Sequence, residues 1–264
     1  MNTISDVLAR LTAIIEWAKA NNSPLGYFAV VYHLMTEAVQ SGIKNGTFED
    51  GPRMERLDVF FAQRYFDAFD AWQAGQPTTR SWEQAFRAAD KANLTVLQHI
   101  LLGINAHIDL DLGVAAGQTN PGEKILDLER DFNRINEVIA GLVNPVQDRL
   151  SQVCPLLWVV DKVLSDRDEH LSNKLIGLGR ESAWTVATSI AYLDDGLHVH
   201  AIERLDTGVA TLAQPIASPP SKWLRAGMRL VRLSEWGSVT QKIEKLQGRL
   251  LWTDELEGLL LSPR

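Results

Sequence analysis

The run His99-Ile-Leu-Leu-Gly-Ile-Asn-Ala-His-Ile-Asp-Leu-Asp-Leu-Gly113 places Asn105, His107, Asp109 and Asp111 in a segment otherwise built of Ile, Leu, Ala and Gly. Strongly polar side chains in so apolar a stretch come to lie in or beside a core, where an unpartnered one is costly. They either satisfy one another and the neighbouring helices or hold a ligand. Three chemistries fit. A His and a carboxylate, joined by a second carboxylate, can ligate a divalent ion; such a mixed N/O set suits zinc, iron or manganese, and the ion would activate a water for hydrolysis. Without a metal, His107 oriented by Asp111 is an acid–base pair for a small-molecule cyclase, lyase or hydrolase. Alternatively, the cluster is a buried hydrogen-bond network in a non-enzymatic helical binding or scaffold protein.

The element carrying these residues decides which of them converge. Polar residues at 105, 107, 109 and 111 alternate with apolar ones, as on a strand. The run Leu94 to Gly113 is long for a strand, however, and has helical patterns on both sides, so the segment reads as a helix. At about 100° per residue, His107 and Asp111 then share one face, extended backwards by His99 and Gly103, while Asn105 and Asp109 share the opposite face. A metal centre would therefore use His107, Asp111 and a carboxylate from another helix, for which Asp131 is the best candidate. Asn105, Asp109, Asn136, Arg180 and Trp184 are the candidate substrate-binding residues. Arg180 and Trp184 stand one helical turn apart, close enough for the guanidinium to stack on the indole. His33 and Glu37, also one turn apart, can supply two ligands but read more simply as a polar patch. His198 and His200 follow a turn-like Asp194-Asp195-Gly196 and read as exposed, and Cys154, with no base beside it in sequence, reads as a core thiol.

The remaining pattern is helical throughout, and an all-α, bundle-like domain is the fold expected. Val7, Leu8, Leu11, Ile14, Ile15 and Ala18 mark a first helix with Ser5 as its cap. Leu25 to Gln40 form a second and more apolar one. Leu57, Phe60, Phe61, Tyr65, Phe66 and Phe69 stripe a third, in which Arg64 can snorkel outward or pair inward with a carboxylate. Ser81 and Gln84 have capping-box spacing at the next start. Asn144-Pro145 reads as a helix boundary and Pro215 to Ser221 as a linker. The chain thus divides into a helical core, residues 1–214, and a segment 215–264 of linker and basic helices packed on that core.

A net charge of -7 argues against nucleic-acid binding, which rests on clustered Lys and Arg. The charge is unevenly spread: Lys222 to Arg249 carry +5, leaving -12 on the rest. Arg225, Arg229 and Arg232 share a face there, with Leu224, Met228 and Val231 on another, a pattern that suits a solvated helix on an acidic body, an anionic ligand, an acidic partner or a membrane surface. One cysteine excludes an intrachain disulfide framework. No stretch has the uninterrupted apolar length of a transmembrane segment and no signal-like leader opens the chain, so a cytoplasmic protein acting on a small-molecule ligand is expected.

The block Gly103-Ile-Asn-Ala-His-Ile-Asp-Leu-Asp-Leu112 resembles the hallmark of DUF5995, a bacterial family of unknown function. The likeness extends to Trp82-Glu-Gln-Ala-Phe86, Asp131-Phe-Asn-Arg-Ile-Asn136 and Arg180-Glu-Ser-Ala-Trp184, and so spans roughly residues 25 to 195. It implies a mainly helical protein with these residues as a shared cluster, and brings no activity with it. At position 109 this chain has Asp where Asn is frequent in such sequences, which adds a carboxylate to the cluster.

Overall fold

The computed structural model describes residues 1–156 and 182–248, and these are helical with no strand among them. In order they form α1 (Ile4–Ala20), α2 (Leu25–Lys44), α3 (Gly51–Gln73), α4 (Arg80–Arg87), α5 (Val96–Thr119), α6 (Lys124–Val153), α7 (182–191), α8 (Asp195–Ala217), α9 (Lys222–Ser234) and α10 (Val239–Gln247). The protein is all-α, as its periodicity requires. Helix α2, apolar on nearly every side, is the central element and packs against α1, α3, α5, α6 and α10.

Helix α5 is not regular. It starts as an α-helix over Val96–Ile104, widens into π-helical turns over Asn105–Leu112, and returns to α geometry over Gly113–Thr119. The widened part coincides with the polar block. By length and composition α5 is apolar enough to cross a membrane, yet it lies mostly buried within the bundle. Its glycines admit close neighbours. A Cβ on Gly103 would run into the Phe28 ring of α2, and one on Gly113 or Gly117 would stand 2.7 or 2.6 Å from the carbonyl oxygens of Ala183 or Ala187 on α7.

Helix starts leave N–H groups unpaired, and here several are answered by carboxylates far away in sequence. Glu55 accepts from Ile4 N (3.1 Å), and Glu235 from Val96 N (2.7 Å). Asp206 of α8 accepts from Arg80 N (2.7 Å), Ser81 N (2.9 Å) and Ser81 Oγ (2.7 Å) at the start of α4. Ser81 is therefore a donor to Asp206, and the box expected with Gln84 does not form. Thr3, not Ser5, caps α1 through a capping box with Asp6.

Two prolines are carried inside helices instead of ending them: Pro145 in α6 and Pro215 in α8. The expected boundary at Asn144-Pro145 is absent, and α8 runs to Ala217, so the break comes only at Pro219-Pro220. The described continuation of the chain, through residue 248, packs on the core. Ile243 and Leu246 of α10 are buried, and a Cβ on Gly26 of α2 would collide with Ile243.

The buried Asp206 carboxylate accepts three hydrogen bonds, and charge-assisted bonds of this kind are worth more than neutral ones. Asp206→Ala is expected to lower unfolding free energy by about 3 kcal/mol in urea denaturation; a loss below about 0.5 kcal/mol, the range of ordinary surface substitutions, would show that α4 does not depend on this cap.

Candidate functional site

The polar block divides as helical geometry predicts. Asn105 points to α8, where its Nδ2 donates to the Val209 carbonyl at 3.2 Å. His107 and Asp111 point the other way, towards α3 and α4. Asp111 is almost wholly buried and accepts from Arg64 Nε and Trp82 Nε1, each at 2.8 Å. Arg64 therefore pairs inward. Two donors from two helices fix this carboxylate, and its Oδ2 stands 3.5 Å from His107 Nδ1, one turn back on α5.

His107 is packed as an aromatic residue. Its ring stacks on Phe61 with 3.6 Å between centroids and 9° between planes, and meets the Tyr32 ring at 4.3 Å, with Phe28 and Trp82 further out. The imidazole is 2% exposed, and neither of its nitrogens makes a hydrogen bond. Two other buried polar atoms nearby are also without a partner: Tyr32 Oη, and Oδ2 of Asp58 on the same helix as Phe61. Buried polar groups are paired in the great majority of cases, so three such side chains in one region are a local departure from the rule.

Burial sets the protonation of this region. It pushes His107 below the ordinary imidazole value, against the pull of Asp111 and with a smaller push from Arg64, so the ring is held neutral. It raises the Tyr32 hydroxyl well above its usual range, with Asp58 and Asp111 adding to the rise. Asp58 is pushed up to about 7 by burial and by Glu55, and Asp109, half-buried, to about 6 by burial. His99, on α5 two turns before His107, is lowered to about 4 by burial and by the charges of Arg232 and Lys242.

The other expected members do not join this centre. Asp131 of α6 is engaged elsewhere, accepting from Glu49 N (2.7 Å), Asp50 N (3.1 Å) and Arg53 (2.8 Å) at the start of α3. Arg53 and Arg64 are eleven residues apart on α3, about 16 Å along its axis. The expected metal set of His107, Asp111 and Asp131 is thus corrected: the third carboxylate is spent on orphan N–H groups and an arginine at another level of the bundle. Among the described residues no three His, Cys, Asp or Glu side chains come together as a metal site. Trp184 of α7 is half-buried and packs on Phe132 of α6, ring centroids 5.0 Å apart. Arg180 and the side chain of Asn136 lie outside the described residues.

The sequence pattern does not single out Tyr32 and Phe61 as the rings against His107, or Asp58 as the carboxyl whose charge acts on Tyr32. A signal for Asp58 was present, since it shares a helical face with Phe61 and Tyr65, three and seven residues on. His33 and Glu37 do pair, at 3.5 Å, with Thr12 Oγ1 3.2 Å from the other ring nitrogen. They line a cleft of about 470 Å³ whose wall includes Ile15, Val30 and Glu244. Cys154 is buried, as expected of a core thiol. His198 is mostly buried against the Ile190 and Leu193 carbonyls, while His200 is exposed.

Asp58 gives the site a pH signature. Its folded value of about 7 lies above the unfolded value of about 3.9, so the folded state binds the extra proton between them. Stability from this group is present in acid and is lost as pH rises towards 7. The lowered His99 and His107 work in the opposite sense, removing stability as pH falls below about 6.5. Asp58→Asn is expected to stabilise the protein at pH 8, by up to about 4 kcal/mol, and to have no such benefit at pH 4. Chemical denaturation at the two pH values checks this, and an equal effect at both would exclude a carboxyl titrating near 7.

No curated protein and no solved structure is matched by the chain. Residues 4–219, from the first turn of α1 to just past α8, match a family of unknown function, and with Asp111, Arg64, Trp82 and His107 all inside that span the chain belongs to DUF5995.

Proposed function

We propose that the protein acts on a small molecule by metal-free acid–base chemistry, of the cyclase or lyase type, with His107 as the group that takes and returns the proton. One observation carries this reading. An imidazole is kept in the core with both nitrogens unbonded, although a carboxylate fixed by Arg64 and Trp82 stands 3.5 Å from one of them. Asp111 on the Nδ1 side favours a proton there and leaves Nε2 as the base. On protonation, the same carboxylate would stabilise the imidazolium, the role an orienting Asp plays towards a catalytic His. π-Helical turns, which bear His107 and Asp111, occur frequently at functional sites. The residues given to a metal do not support the metal-dependent hydrolase reading, because Asp131 is committed elsewhere. His107 is 2% exposed with the Phe61 and Tyr32 rings against it, so a ligand would have to displace neighbouring side chains to reach it.

A second reading, a non-enzymatic binding or scaffold protein, is favoured by a different observation: Asn105, Asp111 and Asp131 are each bonded to groups on other parts of the bundle. The two readings differ on what His107 costs. A buried group without a partner is a burden of about 1–3 kcal/mol, and such burdens are retained where activity requires them. Under the acid–base reading, His107→Phe or His107→Leu is expected to fold, to gain about 1 kcal/mol or more in denaturant, and to lose any thermal shift that a metabolite library induces in the parent. Destabilisation of both variants would instead support the scaffold.

A further inference from the structure

Helix α9 turns an unexpected side to solvent. Its inward residues are Val231, with Met228 half-buried beside it. The expected arginine face is largely used up: Arg225 donates to the Pro219 and Pro220 carbonyls at 2.7 and 3.0 Å, and Arg232 to the Ala92 carbonyl at 3.1 Å. What remains outside is a third face, which at 100° per residue contains Trp223, Ala226, Leu230 and Leu233. Trp223 is 87% exposed, Leu233 81% and Leu230 60%, and Trp236, just past the helix end, is 54% exposed with Lys245 Nζ 2.8 Å from the centre of its ring. Lys222 and Arg229, both exposed, border this strip. Exposed apolar side chains gathered in one patch and rimmed by polar groups mark an interaction surface.

We propose that α9 is an interfacial helix that seats the protein on an anionic lipid surface. Trp223, Leu230, Leu233 and Trp236 would enter the headgroup boundary, and Lys222, Arg229 and Lys245 would face the lipid phosphates. The strip is about 20 Å long, the length of thirteen helical residues, and has an indole at each end, the side chain that prefers the membrane–water interface. A second copy of the chain is a poorer occupant, since a stable protein interface takes roughly 20 residues a side and this strip offers four large apolar ones. Charge supports the same choice. Helix α9 itself carries Lys222, Arg225, Arg229 and Arg232 and no carboxylate, while the chain as a whole is at -7, so an anionic surface attracts the protein with α9 leading.

Co-sedimentation of the full chain with phosphatidylcholine vesicles, with and without phosphatidylserine, tests the proposal. Binding is expected only with phosphatidylserine and should fall as salt is raised. Arg229→Glu should weaken it by about tenfold or more, as reversal of a cation near a charged surface predicts. The double change Trp223→Ser with Leu233→Ser should abolish it while leaving the far-ultraviolet circular dichroism unchanged. Absence of sedimentation with phosphatidylserine vesicles would overturn the proposal. So would binding that survives the double change, or a concentration-dependent dimer in place of lipid binding that the double change dissolves.

Discussion

A carboxylate buried among aromatic rings has to be answered by protein groups, and the arrangement around Asp111 follows from that requirement. Leaving it uncompensated would cost several kcal/mol, so Arg64 has to turn inward and Trp82 has to present its indole N–H. Those two bonds fix α3 and α4 relative to α5, and with them the rings that enclose His107. The attraction within such a pair does little more than offset desolvation. Its effect is on uniqueness: few placements of three helices satisfy one carboxylate through a guanidinium Nε and an indole Nε1 together.

The same logic recurs at the helix ends. Ile4, Val96 and the first residues of α4 are answered by Glu55, Glu235 and Asp206, and Asp131 serves the approach to α3. Local caps such as Thr3 and the Thr95–Gln98 box coexist with these remote ones. A remote cap exists only when two distant parts of the chain are already in place, so helix formation and docking are coupled.

Helical periodicity made the fold class readable, because apolar residues three and four apart have few other uses. The same periodicity separated His107 and Asp111 from Asn105, since the widened turns of α5 change the angle per residue too little to merge the two faces. What the chain did not disclose was pairing across long separations. Asp131 looked like a ligand because it borders an apolar stripe, yet nothing local shows whether such a carboxylate meets a metal or the N–H groups of Glu49 and Asp50. Pro145 and Pro215 looked like breaks, and packing on both sides of each carries the helix through. On α9 the spacing of arginines was legible, but not that two of them would be bound to backbone carbonyls and leave tryptophan and leucine outside.

The Glu235 cap also bears on what counts as a unit in this protein. The family likeness stops at residue 219, whereas the N–H of Val96, at the head of the helix that carries His107, is satisfied from residue 235, and the notch at Gly26 is filled from residue 243. The matched span and the set of helices joined by packing and hydrogen bonds therefore have different boundaries. Without α9 and α10 the head of α5 would be left with an unanswered N–H and α2 with an open notch, so these two helices complete the module from outside the matched span.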